Sequence, residues 1–123
     1  MYRFIRSFVY AFRGIRSAFS GESNCRIQLL AGAGVVLASW YLRISSLEWA
    51  LIVLCIALVI GMEMMNSAIE KACDRITREK DDYVRYVKDM AAGAVLWTAI
   101  GSAVIGAIIL LPKVIALLEG GIN

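Results

Sequence analysis

Three runs in this chain, residues 27–42, 49–62 and 90–111, carry no charged side chain. Such runs leave few folds open. In hydrocarbon every backbone amide and carbonyl must find its partner inside the protein, so an apolar run of this length folds as helix. At about 1.5 Å per residue the last run reaches roughly 33 Å, enough to cross a bilayer. The first reaches only about 24 Å and needs Cys25 and Arg26 to extend it, the guanidinium snorkelling to the interface. The second regains its apolar character past Glu63. The chain has 123 residues, of which 60% are apolar. That is one domain, too hydrophobic for a soluble one of its size.

The placement of charge orients these helices. Arg3, Arg6, Arg13, Arg16 and Arg26 precede the first run, and Lys71, Arg75, Arg78, Lys80, Arg85 and Lys88 lie between the second and third. Only Arg43 and Lys113 remain, so 11 of 13 basic residues share one side. By the positive-inside rule that side is cytoplasmic, which puts the N-terminus inside and the 43–48 turn and the C-terminus outside. A bacterial inner membrane is the expected location. Residues 1–20 lack the uninterrupted apolar core of a cleavable leader, so the mature chain is expected to start near Met1.

Those first residues have a different pattern. Ile5, Phe8, Phe12, Ile15 and Phe19 recur at three- and four-residue steps and fall within roughly an 80° arc of a helix. Arg3, Arg6, Arg13 and Ser17 take the opposite side. Such a helix lies in the membrane surface with its apolar stripe in lipid and its arginines near headgroups or water. A plain anchor is the simplest reading. A nucleic-acid partner is not expected, because the basic face is held against the bilayer. The expected architecture is therefore all-α and membrane-integral, one domain over 1–123: a surface helix at 1–20, broken by Gly21, then transmembrane helices at 26–43, 47–70 and 89–111. The second continues into a cytoplasmic segment.

Small residues mark the packing faces. Ala31, Gly32, Ala33, Gly34 and Ala38 crowd the first span, and Ala99, Ala103 and Ala107 recur every fourth residue of the third. Small side chains let helices approach closely in lipid, and three spans have little interior of their own. Contacts between protomers are expected besides those within one. Pro112 is expected at the outer end of the third helix, where a missing amide matters little. Cys25, Cys55 and Cys73 are odd in number and far apart, and the chain has no histidine. They read as small apolar residues rather than as disulfides or zinc ligands.

The chemistry concentrates at the inner end of the second span. Glu63, Asn66, Glu70 and Asp74 are spaced by three, four and four, so they line one helix face. A carboxylate in an apolar helix is costly and normally functional. Glu63 follows fourteen uncharged residues. A carboxylate so poorly solvated suits a general base, while the plainer reading pairs it with an arginine to fix packing. Lys88 and Asp89 precede the third span, where an ammonium beside free helix amides favours phosphate. The plainer reading there is a positive-inside anchor. Glu22, Glu70 and Asp74 are hard oxygen donors of the kind magnesium takes alongside phosphate. A lone Glu22 also reads as a solvated turn residue. No glycine-rich nucleotide loop is present.

The segments E-M-M-N-S-A-I-E-K-A-C-D at 63–74 and K-D-M-A-A-G-A-V at 88–95 resemble the two signatures of the prokaryotic diacylglycerol kinase and undecaprenol kinase family. R-G-I-R-S-A-F at 13–19 and G-E-S-N-C-R-I at 21–27 extend the resemblance over nearly the whole chain. Lys71 and Cys73 fall at variable positions. The resemblance implies a homotrimeric bundle with sites between protomers. It implies that Glu63 is the catalytic base and that Glu22 and Glu70 coordinate Mg2+. It also implies that Asn66 is an essential polar residue and that Lys88 and Asp89 engage the ATP phosphates, with Glu70 beside them. Tyr10, Arg3 and Arg13 fall where the family places nucleotide-facing residues of the surface helix.

The reading that results is a magnesium-dependent kinase moving the γ-phosphoryl of ATP to the hydroxyl of a membrane lipid. E-S-N-C-R-I, the K-D-M-A-A-G-A-V variant and the L-P-K ending favour undecaprenol as acceptor, with diacylglycerol the alternative. A proton-coupled carrier is less suited, because three spans offer no second half to rock against. A non-catalytic assembly protein would not need carboxylates and an amide aligned on one face.

Overall fold

The computed structural model describes residues 1–121, which form four α-helices: α1 (Tyr2–Gly21), α2 (Ser23–Tyr41), α3 (Ser46–Ile76) and α4 (Asp82–Gly121). The order of four helices agrees with the all-α chain expected above, and two of them, α3 and α4, are apolar enough to span a membrane. The boundaries differ in three places, each for a local reason.

The first difference is the break between α1 and α2. Gly21 is still helical, and Glu22 alone takes extended backbone, φ −113 and ψ 114. Arg26 holds this corner. Its Nη1 donates to the carbonyls of Phe19 at 3.2 Å and Ser20 at 3.0 Å, which would otherwise lack partners at the end of α1. A residue expected to snorkel into the interface is instead a helix cap.

The second is the start of α3. The reversal after α2 needs a left-handed residue, supplied by Arg43 at φ 54. Ser45 then caps α3: the Glu48 amide donates to Ser45 Oγ at 3.2 Å, and the Ser45 amide donates to Glu48 Oε1 at 2.9 Å. This reciprocal box satisfies two otherwise orphaned amides.

The third is α4, which begins at Asp82 and not near 89, and which passes straight through Pro112 to Gly121. The expectation that Pro112 closes the helix is overturned. Proline removes only the amide that would bond the carbonyl of Ile108. The following Val-Ile-Ala-Leu-Leu favours continuing the helix, and in a membrane the loss of one bond is tolerated where neighbours re-satisfy the backbone.

α3 and α4 form an antiparallel hairpin. It is tied near the connection by Lys88–Asp74 at 2.6 Å and at the far end by Lys113–Glu48 at 3.3 Å. α2 packs against α3, and α1 joins α2. The packed centre is small: Ile44, Ile52 and Ile109 are buried, with Val35, Trp49, Ile56 and Ile105 against them. Most large apolar side chains, among them Leu54, Leu58, Leu96, Trp97 and Ile108, point outward and are exposed. α3 and α4 are each long and apolar enough to cross a membrane. α2 falls short by composition, because Asn24, Arg26 and Gln28 occupy its first turns.

The α2–α3 contact turns on one glycine. A Cβ placed on Gly32 would stand 3.0 Å from Ile56 Cγ2, so the helices meet where no side chain intervenes. Gly32→Leu is expected to destabilise the protein by about 1–3 kcal/mol through overpacking. Ile56→Ala in the same chain is expected to recover part of the loss. Unfolding of the single and double variants in mixed micelles measures this, and a double variant with no recovery would show that the glycine is needed for another reason.

Candidate active site

α3 is apolar for most of its length and charged at its end, and it stays helical through that change. It therefore displays Glu63, Asn66, Ser67, Glu70, Lys71 and Asp74 as a fixed ladder. Glu63 retains only 5% of its accessible surface, Asn66 6% and Ser67 7%. Glu63 Oε1 and Asn66 Oδ1 are buried with no hydrogen-bond partner among the described residues. An unpaired buried carboxylate oxygen is costly, and among the described residues no arginine forms an ion pair with Glu63. The Asn66 amide donates to Glu70 Oε1 at 3.3 Å. One amide thus links the buried part of the ladder to its exposed end.

The helix break brings a second element to this ladder. Glu22, at the α1–α2 corner, accepts an ion pair from Lys71 at 2.7 Å. The first turn of α2 also places the fully buried Cys25 beside Ser67, within the electrostatic reach of both Glu63 and Glu22. The hairpin brings a third. Lys88, in the second turn of α4, pairs with Asp74.

Lys71 feels Glu22, Asp74 and Glu70, and Lys88 feels Asp74 and Glu70. Three carboxylates and two ammonium groups thus form one network, with negative charge in excess before Glu63 is counted. These groups lie beyond the apolar run of α3. The hydrogen bond from Lys88 holds Asp74 below the usual 3.8 of its carboxyl, and the same bond raises Lys88 above its usual 10.5. The bond to Glu22 raises Lys71 likewise.

The other predicted residues are placed differently. Asp89 is exposed and makes no ion pair among the described residues. Arg3, Tyr10 and Arg13 sit on the open face of α1, Arg13 stacking over Tyr10 at 5.6 Å, and this chain does not carry them to the Glu63 ladder. The idea that Lys88 stands beside free helix amides is overturned. The N-terminus of α4 lies six residues earlier, and Asp81 Oδ1 already accepts from the amides of Tyr83 and Val84 at 2.9 and 3.0 Å. Lys88 offers a charge only.

Two participants were missed from sequence. Ser67 follows Glu63 by one turn on the same face, and that spacing could have found it. Lys71, set aside as variable, turns out to be Glu22's partner; nothing in the sequence placed Glu22 near α3.

A cleft of about 440 Å³ between α1 and α3 starts at Glu22, Lys71 and Ser67 and runs along apolar Ile15, Ala18, Met64 and Met65. Among the described residues no three donors cluster closely enough to hold a metal by themselves. Magnesium keeps several waters and substrate oxygens, however, and asks one or two carboxylates of the protein. Glu22 and Glu70 are of the type that would meet that demand, and the Lys71 ammonium lies 2.7 Å from Glu22.

The fold and site define a helical membrane protein with a cluster of carboxylates and ammonium groups where its apolar helices turn charged. The prokaryotic diacylglycerol kinase model matches residues 9–110. Undecaprenol kinase of Bacillus subtilis is 38% identical over 111 residues, 90% of each chain. Diacylglycerol kinase of Synechocystis is 34% identical over 113 residues, 91% of this chain and 65% of its own. Diacylglycerol kinase of Escherichia coli K12 is 31% identical over 108 residues, 88% of each. The chain belongs to the prokaryotic diacylglycerol kinase family. It is a lipid kinase, a phosphotransferase with an alcohol acceptor.

The Asp74–Lys88 pair has a testable pH signature. Asp74's contribution to stability is complete above its unfolded pKa near 3.8 and is lost as pH falls through its lower folded value. That of Lys88 is complete below 10.5 and is lost as pH rises through its higher folded value. The difference in unfolding midpoint between the wild type and Asp74→Asn is therefore expected to be constant from about pH 5 to 9 and to narrow as pH falls below 3.8. Thermal unfolding across pH measures it, and a gap that closes near neutrality would contradict the pairing.

Proposed function

We propose that this kinase transfers the γ-phosphoryl of ATP to the primary hydroxyl of a membrane lipid, with undecaprenol as the favoured acceptor and undecaprenyl phosphate as product. The observation that carries the reading is Glu63: a buried carboxylate with an unpaired oxygen, one turn from Asn66 and two from Glu70, where α3 leaves its apolar stretch. ATP comes from water and the lipid from the bilayer, so the reaction needs a base at that boundary. Glu63 accepts the hydroxyl proton as the lipid oxygen forms its bond to the γ-phosphorus, and the bond to the departing ADP oxygen breaks. Asn66 holds Glu70, and Lys88 offsets phosphate charge. Magnesium held by Glu22 and Glu70 would supply charge neutralisation at the transferring phosphoryl group.

The cleft beside Glu22 suits an acceptor with a small polar head and a long apolar tail. Undecaprenol is favoured by the segments G-E-S-N-C-R-I and L-P-K, and the Bacillus relative carries that name. Diacylglycerol is the second reading, and two of the relatives described above carry that name. In this proposal α2 crosses the membrane with α3 and α4, the charged end faces the cytoplasm at the inner membrane, and three protomers share sites. The exposed Asp89, Tyr10, Arg3 and Arg13 then face the nucleotide across a protomer boundary. An apolar groove of about 470 Å³ along α2, α3 and α4, lined by Gly32, Ala99, Ala103 and Gly106, supports such an assembly.

Glu63→Gln is expected to keep the fold and nucleotide binding and to lose about 100-fold or more of the phosphoryl transfer. Assays with undecaprenol and diacylglycerol side by side measure it, and turnover within about threefold of wild type would remove Glu63 as base.

Shared sites make a separate prediction. Neither Glu63→Gln nor Lys88→Ala protein is expected to be active alone. Mixed after subunit exchange, they are expected to regain activity if a site draws the two residues from different chains. Continued inactivity with exchange demonstrated would place both in one chain.

A further inference from the structure

We propose that Lys71 is a resident counter-ion of the metal position: its ammonium occupies the place of the divalent cation, and the metal must displace it to bind Glu22. The inference rests on Glu22 and Glu70 being the metal ligands. Three observations carry it. Lys71 Nζ lies 2.7 Å from Glu22 Oε1, so the carboxylate is already engaged. The partners differ in freedom: the Glu22 side chain is 23% exposed and held at the helix corner, whereas that of Lys71 is 72% exposed. Glu70 and Asp74 act on the same ammonium, so the carboxylates around it present a field for one cation.

Two cations cannot share that position. With Lys71 in place, Glu22's charge is screened from an arriving metal, and binding must break an ion pair first. The four-carbon stem lets the ammonium swing into water at small cost, which makes exchange feasible. Lys71 thereby weakens metal binding in the resting protein.

The experiment measures Mn2+ binding to the purified protein in zwitterionic micelles without nucleotide, following the free-ion EPR signal. Zwitterionic detergent keeps anionic headgroups from competing for the ion. Lys71→Met, similar in length and uncharged, is expected to bind Mn2+ about three- to tenfold more tightly than wild type, and to need correspondingly less Mg2+ for half-maximal activity. Lys71→Arg, which keeps the ion pair, is expected to stay near wild type. Glu22→Gln is expected to bind more weakly than either.

Unchanged or weaker binding in Lys71→Met, with Glu22→Gln weakened, overturns the counter-ion role and leaves the ligand assignment standing. Equal binding in Glu22→Gln and wild type overturns the ligand assignment, and the inference with it. A raised KM for ATP in Lys71→Met at unchanged metal affinity would make Lys71 a nucleotide contact and likewise overturn the proposal.

Discussion

The structure depends on α3 remaining one helix across a change of solvent. Within hydrocarbon its backbone has no other way to satisfy its amides and carbonyls, and past Glu63 nothing interrupts it until Thr77. From Glu63 to Asp74 the rise is about 16 Å, enough to carry a row of side chains from a dry environment to a wet one. A loop at that depth would leave polar backbone groups unsatisfied, and its side chains would not hold their spacing. The buried carboxylate and the exposed charge network thus share one rigid element, as a reaction between a lipid and a water-soluble donor requires.

The remaining helices complete what α3 presents. The single extended residue at the α1–α2 corner brings Glu22 to Lys71, and Arg26 stiffens that corner by bonding the last carbonyls of α1. The hairpin brings Lys88 to Asp74. Its far end is closed by Glu48, which both caps α3 and pairs with Lys113. The packed core lies toward that far end, around Ile44, Ile52 and Ile109. The charged end relies on ion pairs, which are weak where exposed and can rearrange around substrates.

Periodicity made much of this legible. The four-helix order, the amphipathic first helix and the face shared by Glu63, Asn66, Glu70 and Asp74 follow from spacing, because a helix converts sequence separation into angle. Contacts between elements do not follow from spacing. Lys71 was passed over because its partner lies 49 positions away across a corner whose angle depends on one residue's backbone. Lys88 was misread because the start of α4 is set by the Asp81 cap, eight residues before the apolar run begins at Met90. Pro112 was misread because a rule drawn from one lost hydrogen bond was weighed without the apolar, glycine-free stretch from Val114 to Leu118 that carries the helix on.

The charge distribution poses a last question, which the reaction itself answers. The chain is basic, at net +3, yet the groups nearest Glu63 carry more carboxylates than ammonium ions. A polyphosphate approaching that cluster directly would be repelled. Arg75, Arg78, Lys80 and Arg85 lie in the last turn of α3, the connection and the first turn of α4, so the charge next along the chain from the cluster is basic. In the proposed reaction this basic stretch draws the nucleotide in, and the carboxylates favour the form that carries its own divalent cation. Anions without such a cation are attracted to the basic stretch and rejected at the cluster. In that proposal an acidic site inside a basic protein would select a metal-bound phosphate donor by charge, with no glycine-rich loop to cradle it.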